Sequence, residues 1–161
     1  MTMTLEENLR GLLTQRKLKL ACAESCTGGL VAHRVTNVAG SSAYFWGGVV
    51  AYSNEAKASV LGVSWNTLNK AGAVSEETVR EMAHGARELF AADVAVSVSG
   101  VAGPGGGTPE KPVGTTWIGL SAHAGEWARH YVWGGDREQN KLDSSEAALQ
   151  FVVDFLEGKL G

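Results

Sequence analysis

The stretch LKLACAESCTGGLVAHRVTNVAG, residues 18–40, decides how this chain folds. Leu18 to Ala23 reads as a buried strand. From Gly28 onward, Leu30, Val31, Val35 and Val38 fall on one side of a helical repeat, with Gly40 as the expected stop. Glu24, Ser25, Cys26 and Thr27 stand between the two patterns and run into the Gly28-Gly29 pair. A strand that passes over glycines into a helix opens a β-α unit, where ligands collect beyond the C-terminal end of the strand.

The same alternation extends in both directions. Before the strand, Leu5, Leu9, Leu12 and Leu13 mark an amphipathic helix over residues 4–16. After it, AYFWGGVVAYS is rich in aromatic and β-branched residues. It reads as a strand whose Gly47-Gly48 pair implies a bulge or a close backbone approach. SNEAKASVLG then predicts a short helix, VSEETVREMAHGARELFAA a longer one opened by Ser75, and DVAVSVSG a strand ending near Ser99. Residues 101–114, with all three prolines of the chain, form a loop. TTWIGLSAHA and EWARHYVWGG follow as a hairpin turning at Ala124-Gly125, and a helix carrying Leu149, Val152, Val153 and Leu156 closes the chain. The expected fold is α/β: a three-layer α/β/α sandwich with a mixed, mostly parallel sheet, in one domain over residues 1–161.

Composition narrows the function. With 44% hydrophobic and 19% charged residues, the chain has the material for a packed core. A formal net charge of -3 gives no basic field for nucleic acid or an anionic membrane, and neither partner is expected. The acidic, amphipathic N-terminus lacks the features of a secretory signal, so a cytoplasmic location is expected. Cys22 and Cys26 have no second pair of ligands for a zinc site and are read as reduced thiols; no metal and no cofactor are expected. The supply of aromatic residues leads to the expectation of a homodimer.

Three groups of polar residues fall at predicted strand ends. Ser25 lies between a strand and a glycine-opened helix, where unpaired amides can stabilise an oxyanion, so it is either a nucleophile or, with Thr27, a helix cap. Glu24 reads as a structural acid that could also fix the site. A serine nucleophile needs a base, and His33, His84, His123 and His130 show no arrangement with it. Lys57 is the alternative, since enclosure can bring a lysine from about 10.4 down to roughly 7–8; the plainer reading is a solvated lysine. Tyr52 is an ordinary strand-end aromatic or a hydroxyl that relays a proton. Ser99 with SGVAGPGGG offers a hydroxyl and an anion-cradling nest, although no P-loop signature follows. Arg137 of GDRE either clamps a phosphate or carboxylate or pairs with nearby acids.

Taken in order, AESCTGG, GGVVAYSNEAKASVLGV, GAVSEETVREMA, SVSGVAGPGGGTPEKPVGTTWIGL and GDRE resemble the CinA C-terminal domain family over roughly residues 5 to 157. The resemblance implies an α/β/α sandwich that hydrolyses the carboxamide of nicotinamide mononucleotide to nicotinic acid mononucleotide and ammonia, without metal. It implies Ser25 as nucleophile, Lys57 as base, and Tyr52 and Ser99 as assisting hydroxyls. The small-molecule pyridine nucleotide would be held by Thr27, Gly28, Gly29, Asn54, Gly103, Gly105, Gly106 and Arg137. The alternatives are a catalytically inactive nucleotide-binding module of the same family and an amidohydrolase with Cys26 as nucleophile. Many relatives carry a larger N-terminal domain linked to nucleotide pyrophosphate hydrolysis, an activity not expected of this chain. Where relatives often show an arginine about four residues beyond Arg137, this sequence has Lys141.

Overall fold

The computed structural model describes residues 2–160. In chain order its elements are α1 (Leu5–Arg16), β1 (Leu20–Glu24), α2 (Leu30–Thr36), β2 (Phe45–Val50), α3 (Asn54–Leu61), α4 (Trp65–Ala71), α5 (Glu76–Phe90), β3 (Val94–Gly100), β4 (Thr115–Ala122), β5 (Gly125–Val132) and α6 (Arg137–Leu156). The sheet order is β2-β1-β3-β4-β5. β1 pairs in parallel with both β2 and β3, whereas β4 runs antiparallel to β3 and to β5. Four of the five strands therefore point the same way. The sheet is mixed with a parallel core, as the alternating pattern requires.

Side-chain alternation assigns the layers. On one face Leu20, Cys22, Val94, Val96 and Val98 pack with Leu9 and Leu13 of α1, Val31 and Val35 of α2, and the Ala148–Leu156 stripe of α6. On the other, Ala21, Ala23 and Ala95 meet Leu61, Leu68, Val79, Met82 and Ala86 of α3, α4 and α5. Small residues on that second face let α5 lie close. All five residues of β1 are buried, so this strand is the centre of the core and its C-terminal end is a fixed platform.

Several boundaries differ from the sequence reading. β1 starts at Leu20 and includes Glu24, because Lys19 is tied sideways by its amide to Asp93 Oδ2 at 2.8 Å. α2 stops at Thr36, short of Gly40, where the Thr36 hydroxyl bonds back to the Ala32 and His33 carbonyls and Gly40 instead opens a 3-10 turn. The hairpin turns at His123-Ala124, and Gly125 already pairs with Ala122. α4 was not anticipated; Ser64 caps it, and only Leu68 of its seven residues is buried, which leaves little apolar periodicity to read. The expected bulge in β2 is present: the register passes from Leu20↔Phe45 to Ala21↔Gly47, skipping Trp46.

Candidate active site

The turn after β1 is shaped by two residues with opposite roles. Gly28 and Gly29 take φ values of 61° and 111°, in the region that side chains with a Cβ avoid, and this lets the chain reverse into α2. Gly29 is the N-cap and supplies no capping side chain. The buried Glu24 carboxylate does so from the end of β1: Oε1 accepts from Thr27 Oγ1 at 2.6 Å, Gly29 N at 3.2 Å and Val31 N at 2.8 Å, and Oε2 from Ala32 N at 3.1 Å. Ser25 is thereby released from any capping duty. Its backbone extends the β1–β3 pairing through a bond from Ser25 N to Val98 O, which sets Ser25 beside Ser99.

The second component arrives on α3. Ser53 caps this helix, and Lys57 and Leu61, one turn apart, face inward together. Lys57 is 1% exposed and Ser25 7%. Lys57 Nζ lies 2.9 Å from Ser25 Oγ, 3.0 Å from the Ala51 carbonyl and 3.1 Å from the Tyr52 carbonyl. No carboxylate forms an ion pair with it among the described residues. Burial lowers the Lys57 pKa from the ordinary 10.5, opposed only by the Cys26 thiol. That opposition is weak at neutral pH, because burial pushes Cys26 itself up to about 11 and keeps it protonated. The amine donates to all three oxygens, and the Ser25 hydroxyl donates in turn to the Tyr52 carbonyl at 3.5 Å; once deprotonated, the amine can keep both carbonyl bonds and accept from Ser25 Oγ.

Other anticipated residues occupy more varied positions. The Tyr52 phenol is 60% exposed and does not meet Ser25 or Lys57; the backbone carbonyl of Tyr52 orients the lysine instead. The chain turns after β2, so the carbonyl and the side chain point apart. Ser99 is buried next to Ser25, but its hydroxyl donates to Ala73 O at 2.8 Å. Thr27 directs its hydroxyl inward to Glu24, and Asn54 is the partly buried first residue of α3. Of the turn amides, Gly28 N is bonded to Ser25 O and Gly29 N to Glu24. Those of Cys26 and Thr27 donate to no protein oxygen among the described residues.

Arg137, the first residue of α6, donates to Gly103 O at 2.7 Å and to Tyr52 Oη at 3.0 Å, and makes no ion pair among the described residues. It thus joins the glycine-rich loop to the Ser25 side of the site through neutral acceptors. Asn140 holds the same junction from below, with bonds from its amide to Ala102 O and from Gly135 N to its Oδ1, each 3.0 Å. A cleft of about 550 Å³ lies between loop and helix, lined by Ala102, Pro104, Val113, Gly135 and Arg137; Ser25 does not line it. Gly105 and Gly106 are exposed on the loop, and Gly103 and Gly106 take positive φ. Lys141, one turn beyond Arg137, brings its Nζ to 3.9 Å from where a Cβ on Gly28 would stand. Lys141 stands where the sequence reading noted a lysine in place of the relatives' arginine, and the i, i+4 spacing from Arg137 places both cations on one face.

The arrangement can transfer a proton from a serine to a buried amine, offer two amides to a developing oxyanion, and present two cations to an anion nearby. A family model described as the CinA C-terminal domain matches residues 2–156. A CinA-like protein of Chloroherpeton thalassium is 52% identical over 96% of this chain, and one of Thermotoga maritima 50% identical, also over 96%. The chain spans 38% of the length of each of these two relatives. Among solved structures, the competence damage-inducible protein A (ComA) from Klebsiella pneumoniae superposes with a TM-score of 0.92 at 37% identity, covering 95% of both chains. The competence/damage inducible protein CihA from Agrobacterium tumefaciens does so with 0.89 at 40% identity, covering 98% of this chain and 99% of that one.

Proposed function

The chain belongs to the CinA C-terminal domain family, and we propose that it is an amidohydrolase that converts nicotinamide mononucleotide to nicotinic acid mononucleotide and ammonia, with Ser25 as nucleophile and Lys57 as base. The observation that carries this reading is the 2.9 Å approach of the buried Lys57 amine to the Ser25 hydroxyl, with no carboxylate in an ion pair with that amine among the described residues.

In this reading the neutral Lys57 accepts the Ser25 proton as Oγ bonds to the carboxamide carbon. The carbonyl oxygen takes the negative charge and accepts from the amides of Cys26 and Thr27. Collapse breaks the C–N bond, the proton on Lys57 passes to the departing nitrogen, and ammonia leaves. Water then gives a proton to Lys57 and attacks the acyl carbon; the Ser25 oxygen departs and recovers that proton. Arg137 and Lys141 supply positive charge for the 5'-phosphate, and the Ala51 and Tyr52 carbonyls keep the amine aimed throughout.

Incubation of the purified protein with nicotinamide mononucleotide across pH 6–9 tests the proposal by ammonia release. Steady release by the wild type and its loss in Ser25→Ala are expected. Binding of the nucleotide without ammonia in that range would favour the nucleotide-binding module.

A further inference from the structure

Glu24 is a buried acid that the proton transfers do not use. It is 1% exposed, has no cationic partner among the described residues, and immediately precedes the nucleophile in the chain. A carboxylate buried in this way is costly unless donors surround it. Here the donors are one hydroxyl and three amides of the turn and of the first turn of α2, and the Cys22 thiol approaches Oε2 at 3.9 Å. Every partner is a donor, so an acceptor-only group fits where an amide side chain would set its NH2 against another N–H.

The pattern of bonds selects which amides stay free. Glu24 takes the N–H groups of Gly29, Val31 and Ala32, and Gly28 N turns back to Ser25 O, so of the turn amides after Ser25 those of Cys26 and Thr27 donate to no protein oxygen among the described residues. The Thr27 hydroxyl bond pulls the middle of the turn down against the carboxylate and fixes the plane of the peptide before it. We propose that Glu24 is a positioning residue, whose carboxylate sorts the turn amides into helix-capping and oxyanion-binding sets. The inference rests on the serine hydrolase reading above. It assigns Glu24 no contact with substrate and no part in the Lys57 proton equilibrium.

The test compares wild type, Glu24→Gln and Thr27→Val in two reactions: ammonia release from nicotinamide mononucleotide, and covalent capture of Ser25 by an aryl sulfonyl fluoride. In the capture, Oγ bonds to sulfur as fluoride leaves and the proton passes to Lys57. Glu24→Gln is expected to lower kcat and the capture rate together by about 10- to 100-fold, less than the roughly 100- to 1,000-fold of losing an oxyanion donor outright because the amides are misplaced and not removed, with KM and the midpoint of the pH profile unchanged. Thr27→Val, which keeps the helix cap, is expected to lose several-fold in both rates, and it carries the test if Glu24→Gln does not fold. Wild-type rates in either folded variant, or a moved pH midpoint with the capture rate kept, would overturn the positioning role. Capture at Ser25 without ammonia release would remove the proposed substrate but leave the capture rates to decide on Glu24; no capture in the wild type would overturn both.

Discussion

Replacing Lys57 by Met separates the ionisation of the buried amine from its packing. The variant keeps a long side chain in the space beside Leu61 and removes the donors to Ala51 O and Tyr52 O. Tyr52 O keeps the Ser25 hydroxyl at 3.5 Å, whereas Ala51 O loses its side-chain donor, at a cost of about 1–3 kcal/mol. The second effect depends on pH. Burial favours the uncharged amine, so the folded chain releases the Lys57 proton below the ordinary value of 10.5. Between the folded pKa and 10.5 the unfolded chain holds the extra proton, so raising the pH through that window favours the folded state. The gain is at most about 1.4 kcal/mol per pH unit for one group. Below the folded pKa both states are protonated and the contribution is flat. Chemical denaturation of both proteins at half-unit steps from pH 6 to pH 10.5 should show the wild type gaining stability on the variant as pH rises. A stability difference that stays constant over the whole range would refute the depressed pKa, and with it the neutral base.

Other perturbations test separate parts of the account. Cys26→Ala should keep wild-type turnover within a few-fold, because a thiol pushed up to about 11 is only about 0.1% ionised near pH 8; ammonia release measures this directly. Arg137→Met frees Gly103 O and the Tyr52 phenol and removes a cation; an increase of roughly 10- to 100-fold in KM with kcat largely kept is expected from steady-state kinetics. Gly85→Ala places a methyl group into the Leu61 carbonyl, where α5 crosses the helix that carries Lys57. A loss of about 2–3 kcal/mol in denaturant unfolding should accompany it.

The elements that position the site were largely legible because their signals are local. Ser53 and Gly62 bracket α3, Ser75 opens α5, and the run of β1 into Gly28-Gly29 announces a strand, a turn and a helix. Ser25 and Lys57 were legible as candidates, but the plainer reading of Lys57 was a solvated lysine, and its burial beside Leu61 is seen only in the structure. What the sequence could not yield is direction. Whether Tyr52 offers its phenol or its carbonyl depends on backbone geometry after β2, and which amides of the turn remain free depends on how far the Glu24 side chain reaches back under α2. The bonds of Arg137 to Gly103 and Tyr52 cross 34 and 85 residues, a separation that no local pattern encodes.

The central claim is a covalent bond between Ser25 and the substrate acyl group, and mapping that group on enzyme quenched in acid during turnover tests it most directly. The account predicts an added mass equal to the nucleotide less ammonia, located by fragmentation on Ser25 and absent from Ser25→Ala. Continued ammonia release by Ser25→Ala, or an acyl group located on Cys26, would contradict it.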